Sequence, residues 1–187
     1  MLGCYDFCGH YEWTFEWLRQ QGGEPLVRTY WKEAIAGDAQ KHAANQILRK
    51  GIAGMRQYWG NTLDHEAAGY YITSTDKVFR IDIHDCPSKG FLIRNGLAQY
   101  HDYCDHCMGW IGPVMKAAGF VVDHEHNHCG KCWWEMRRQD NATPPSAAGA
   151  LSGKHDVRLR EDWKTTKALD VFQRATDPDD KTTTNPA

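Results

Sequence analysis

Cys104-Asp105-His106-Cys107 and Cys129-Gly130-Lys131-Cys132 are two CxxC turns in one chain. Each such turn delivers two thiolates to a single ion, and two turns complete a tetrahedron. The stretch between them is close to the roughly 15–20 residues found in four-cysteine zinc sites. Gly130 lets the second turn fold back tightly. Four thiolates suit zinc in a closed structural site, and they also suit an iron–sulfur cluster. The consecutive close cysteines usual in ferredoxins are absent, which favours zinc. The plain alternative is a set of buried reduced thiols packing as small hydrophobes, which leaves the two paired turns unexplained. His106 lies inside the first turn and His128 directly precedes Cys129, so an imidazole can replace a thiolate and free a cysteine for chemistry.

Other groups surround this constellation. His124, His126 and His128 alternate with Glu125 and Asn127, which on a strand puts three imidazoles on one face. Such a row can bind a second metal or act as general acid and base; a solvent-facing polar stripe is the bland reading. Asp82, His84 and Cys86 repeat the theme, with Asp82 and His84 on one face and Cys86 in the strand-end loop, where reactive groups gather. A histidine that lowers its pKa makes Cys86 a nucleophile; otherwise it packs against Pro87. Cys4 and Cys8, with His10, carry the spacing that brings two thiols to one helix face. Trp133 and Trp134 must point to opposite faces of their strand. One suits the core, and the other can wall a ligand pocket with Tyr100, Tyr103 and Trp110.

The elements that must position these groups follow from periodicity. Residues 1–9 read as a short arm and residues 10–21 as a helix carrying Trp13, Trp17 and Leu18 on one face, ended by Gly22-Gly23. Pro25 suits the first turn of the next helix. Across residues 26–59, Trp31, Ile35, Ala44, Ile47, Leu48, Met55 and Trp59 keep one stripe, interrupted by Gly37, Gly51 and Gly54, so one broken helix or two is expected. Residues 70–74 and 78–84 alternate as a half-buried hairpin around Thr75-Asp76-Lys77, with Phe79, Ile81 and Ile83 on one face. Asp85-Cys86-Pro87-Ser88 closes the second strand. A short apolar segment (91–97), a helix (102–118) ended by Gly119, and strands at 120–128 and 131–138 complete a ββαββ order. The expected fold is α+β: N-terminal helices packed on a mainly antiparallel sheet of about four strands, with the four-cysteine metal site. Residues 1–140 form that single domain. Residues 141–153 read as a linker, 157–174 as a short helix and 177–187 as a disordered polar end.

Composition narrows the function classes. The chain has 187 residues, 41% of them hydrophobic, enough for one domain with a real core. A formal charge of −2 offers no basic excess for phosphates, so nucleic acid is not an expected partner. No apolar run approaches the roughly 18–20 residues of a membrane span, and the start lacks a signal-peptide pattern. The chain is therefore read as cytoplasmic. Disulfides do not persist in that compartment, and seven cysteines is an odd number, so metal ligation or thiol chemistry is the better reading.

The run from Asp85-Cys86-Pro87 through Cys104-Asp105-His106-Cys107 to His126-Asn127-His128-Cys129-Gly130-Lys131-Cys132-Trp133 resembles the L-2-amino-thiazoline-4-carboxylic acid hydrolase family, over roughly residues 25–138. The resemblance implies hydrolytic opening of a small sulfur–nitrogen heterocycle. The histidine-rich run and the C-terminal extension depart from the typical member. A weaker likeness, in element order and cysteine placement, is to vinyl-reductase-type small-molecule-binding domains, which implies a ligand-binding module. The leading expectation is a metal-containing hydrolase acting on a thiazoline-carboxylate-like ring or cyclic amide. Cys104, Cys107, Cys129 and Cys132, with His128, hold zinc. Cys86, His84, Asp82, His124 and His126 supply nucleophilic or acid–base groups; a zinc with an open position activates water. The alternatives are a binding module with structural zinc and an iron–sulfur protein with redox or lyase chemistry. The expected partner is a small-molecule substrate, with homo-oligomerisation open.

Overall fold

The computed structural model describes residues 2–97, 100–128, 130–141 and 143–145, and the side chains of residues 6 onward within them. Cys129, the Cys4 side chain and the linker, short helix and tail expected beyond residue 145 lie outside the described residues.

Helix α1 (Leu2–Tyr30) begins well before the expected start, so the short arm is helical. Before Gly23 its buried positions are Cys8, Glu12, Phe15 and Leu18, a stripe spaced by three and four residues that extends the helix backwards. Trp13 and Trp17 face outward instead, both more than half exposed. The expected break is present: Gly23 sits at φ 71°, ψ −172°, and Pro25 restarts the helix after it. A π-helical segment, Trp31–Ala39, follows and buries Trp31, Ile35 and Ala36. Helices α2 (Lys41–Lys50) and α3 (Ile52–His65) are separated at Gly51, whose φ of 56° is left-handed.

Four antiparallel strands form one sheet: β1 (Gly69–Ser74), β2 (Val78–Asp85), β3 (Phe120–His126) and β4 (Cys132–Arg138), in the order β1-β2-β4-β3. The β1–β2 turn is held by Thr75, whose Oγ1 accepts hydrogen bonds from the backbone N–H groups of Lys77 and Val78 at 3.1 and 3.0 Å. Helices α4 (Lys89–Arg94) and α5 (Asp105–Ala117) lie between β2 and β3 in sequence.

Register sorts the side chains into two faces. The cross-strand rows Ile72–Ile81–Trp134–His124 and Tyr70–Ile83–Cys132–His126 share one face. The helices cover that face: Trp59 of α3 stacks on Phe79 with ring centres 5.7 Å apart and meets Trp134 edge-on at 6.2 Å. Burying each large apolar side chain there contributes about 1.5–3 kcal/mol. Rows Thr73–Arg80–Glu135–Asp123 and Tyr71–Asp82–Trp133–Glu125 form the opposite face. There Arg80 bridges Asp82 and Glu135 at 2.7 and 3.2 Å and lies 4.5 Å over the Trp133 ring, while Arg137 pairs with Asp123. No helix among the described residues is long and apolar enough to cross a membrane.

Candidate active site

The helix-covered face of the sheet walls a cavity of about 500 Å³. The five cysteines with described side chains all line it: Cys8 of α1, Cys86 after β2, Cys104 and Cys107 at the start of α5, and Cys132 at the start of β4. His106, His124, His126, Lys89 and Glu66 share the wall with Tyr58, Trp59, Trp110 and Trp134. Residues far apart in sequence thus meet because α1, α5 and the ends of two neighbouring strands converge on one space.

Cys86 sits where β2 gives way to the turn into α4. Its N–H donates to the Gly130 carbonyl at 2.9 Å, which joins that turn to the β3–β4 loop. The two loops touch closely: a side chain on Gly130, at φ 93°, would stand 3.3 Å from the Gly90 Cα. Burial pushes the Cys86 thiol up, while the backbone N–H groups of Ser88, Lys89 and Gly90 act on the sulfur in the opposite sense. This sulfur is therefore a protonated thiol beside donors that would favour its anion. Lys89 is buried next to it, with Nζ 5.4 Å from the Tyr103 ring centre. The Tyr103 and Ser88 hydroxyls share a 2.5 Å hydrogen bond.

On α5, His106 lies 2.5 Å through Nδ1 from the Tyr103 carbonyl oxygen. A carbonyl only accepts, so Nδ1 carries the proton and Nε2 presents its lone pair. Nε2 lies 3.9 Å from the Cys107 sulfur, forming a thiol–imidazole pair. Burial lowers the His106 pKa to about 4, so the ring is neutral at physiological pH. Burial also lifts Cys107 and Cys132 well above the ordinary thiol value, helped by the neighbouring cysteines.

Of the expected four thiolates, Cys104, Cys107 and Cys132 reach the cavity wall. Among the described residues, no three of these sulfurs come within 4.8 Å of one another. The histidine row does come together: the His124 and His126 rings stack at 5.3 Å, and His126 meets His128 edge-on at 4.3 Å. Asp82 and His84 are not brought to Cys86. Strand alternation sends them to the opposite face, where Asp82 pairs with Arg80 and exposed His84 stacks on Tyr71 at 5.2 Å. His10 is exposed. Three cavity or near-cavity groups escape sequence reading. Lys89 carries no signal, because loop lysines are usually solvated. Glu66 follows the end of α3 with no motif. Asp105 was visible inside the first CxxC turn, where the flanking cysteines overshadow it.

No family model, curated protein or solved structure matches this chain.

Proposed function

We propose that the cavity binds a small ring containing sulfur and nitrogen, of the thiazoline-carboxylate or cyclic-amide class, and opens it by hydrolysis. The observation that carries this reading is the gathering of five thiols and three imidazoles on one aromatic-walled cavity of about 500 Å³. In this reading Cys86 is the nucleophile. Its sulfur adds to the ring carbon between sulfur and nitrogen, and the departing ring atom takes a proton. Water then displaces the Cys86 sulfur, and the thiol is restored with one water consumed. The N–H groups of Ser88, Lys89 and Gly90 stabilise the thiolate as it forms, and the buried Lys89 ammonium faces a substrate carboxylate. Neutral His106 is the proton acceptor, and His124 is the other acid–base group. A zinc ion held by Cys104, Cys107, Cys129 and Cys132 belongs to the same reading. The described sulfurs share one wall without gathering to ligand distance, so this part of the reading rests on the spacing of the two CxxC turns. The ion would supply structural bracing between α5 and β4.

The test is incubation of the reduced chain with 2-amino-thiazoline-4-carboxylate, reading by mass spectrometry the gain of one water. Cys86→Ala is expected to abolish turnover, and His106→Gln to lower it by about 10²–10⁴-fold, with folding intact. Ring binding without opening by the parent chain would sink the hydrolase and leave a small-molecule-binding module.

A further inference from the structure

We infer that Asp105, His126 and His128 form a divalent-metal site distinct from the four-cysteine set. One ligand atom from each lies within 4.8 Å of the other two. His126 Nε2 is 2.9 Å from Asp105 Oδ1. That is the separation of two donors each about 2.1 Å from a shared ion at near a right angle. The His126 and His128 rings cross at 73° with centres 4.3 Å apart, so the second imidazole approaches from another direction.

Each donor is placed by a different piece of the fold. Asp105 is the first residue of α5, His126 the last of β3, and His128 lies in the loop to β4. His128 is 1% exposed and adopts φ 59°. The left-handed region is unusual for a residue with a side chain and strains the backbone there. Next to it, Asn127 pins the loop: its N–H donates to the Lys131 carbonyl and its Oδ1 accepts from the Lys131 N–H, both at 3.1 Å. The imidazole is thus held beside its two partners by a backbone the local sequence would not choose alone.

Two imidazoles and one carboxylate suit a borderline divalent ion such as zinc, iron(II) or cobalt(II), and three protein ligands leave positions for water or a substrate atom. His126 also lines the cavity, so an ion there would border the space in which a ligand sits. The inference does not depend on ring opening or on thiolate zinc.

The test is titration of the metal-free, reduced full-length chain with cobalt(II), followed by visible and near-ultraviolet absorption. Expected is a class of sites whose bands lack thiolate charge transfer and survive the combined Cys104→Ser, Cys107→Ser and Cys132→Ser substitutions. Its affinity should fall by at least about 10–100-fold in Asp105→Asn and in His128→Asn. Asparagine tolerates the left-handed backbone, so the second variant keeps the loop. Circular dichroism without metal checks the fold, and His126→Gln replaces any variant that fails that check. Cobalt affinity unchanged by these substitutions, or absorption that vanishes entirely with the cysteines, would overturn the inference and leave a plain imidazole–carboxylate pair. Cobalt binding and ring opening are read separately, so either can fail alone.

Discussion

Glu66 enters the cavity wall half-buried, and burial holds its carboxyl above the ordinary 4.5. The folded chain keeps this proton at pH values where the unfolded chain has released it. The group's stabilising contribution is therefore complete below 4.5 and drains away as pH rises through the raised folded value. Glu66→Gln removes that drain. Thermal unfolding across a pH series should show the variant gaining on the parent as pH rises and levelling off above the window. An equal offset at every pH would mean that ionisation of Glu66 has no part in it. The same physics governs the thiols, where burial opposes the anion that nucleophilic chemistry requires. Around the Cys86 sulfur, three backbone donors act in the opposite sense.

At the scale of elements, α5 and the π-helical segment meet through Gly109. A methyl group there would stand 2.6 Å from Trp31 Cε3 and 3.0 Å from its Cβ. Gly109→Ala should cost about 1–3 kcal/mol through overpacking, despite alanine's better helix propensity. Urea unfolding measures it, and a stabilised variant would show that the Trp31 ring moves aside freely. The hairpin, α5, β3 and β4 were legible because Phe79, Ile81 and Ile83 alternate and Gly119 and Pro87 mark the stops. The start of α1 was not, since Trp13 and Trp17 suggest an apolar face that Cys8, Phe15 and Leu18 actually provide. Nothing in residues 31–39 announces a π-helix. For the site, Cys104, Cys107, Cys132, His124 and His126 share a wall, but the three sulfurs are not gathered to ligand distance. The grouping of Asp82 and His84 with Cys86 failed for an elementary reason. Alternation fixed their face, and the apolar residues between them claimed the other one for the cavity.

Across the whole molecule, the first helix is tied to a segment far along the chain. The Glu12 carboxylate accepts the Tyr100 N–H at 2.5 Å, across 88 residues. Phe15 packs against Tyr100 and Tyr103 at 5.8 and 5.7 Å. The Tyr100 hydroxyl donates to Glu24 at 2.6 Å. Glu12→Ala leaves the buried Tyr100 amide unsatisfied and should cost about 1–3 kcal/mol. Hydrogen exchange should then quicken at the Tyr100 amide and through α1; unchanged exchange would show that aromatic packing alone docks the helix. These long-range ties also set a schedule for synthesis. Glu12 leaves the ribosome 88 residues before the tyrosine it must meet, a delay of roughly 5–20 s at ordinary elongation rates. Through that interval the part of Phe15 that Tyr100 and Tyr103 cover stays bare, a target for chaperones that hold unfinished proteins. Translation speed, more than helix propensity, decides how long it waits.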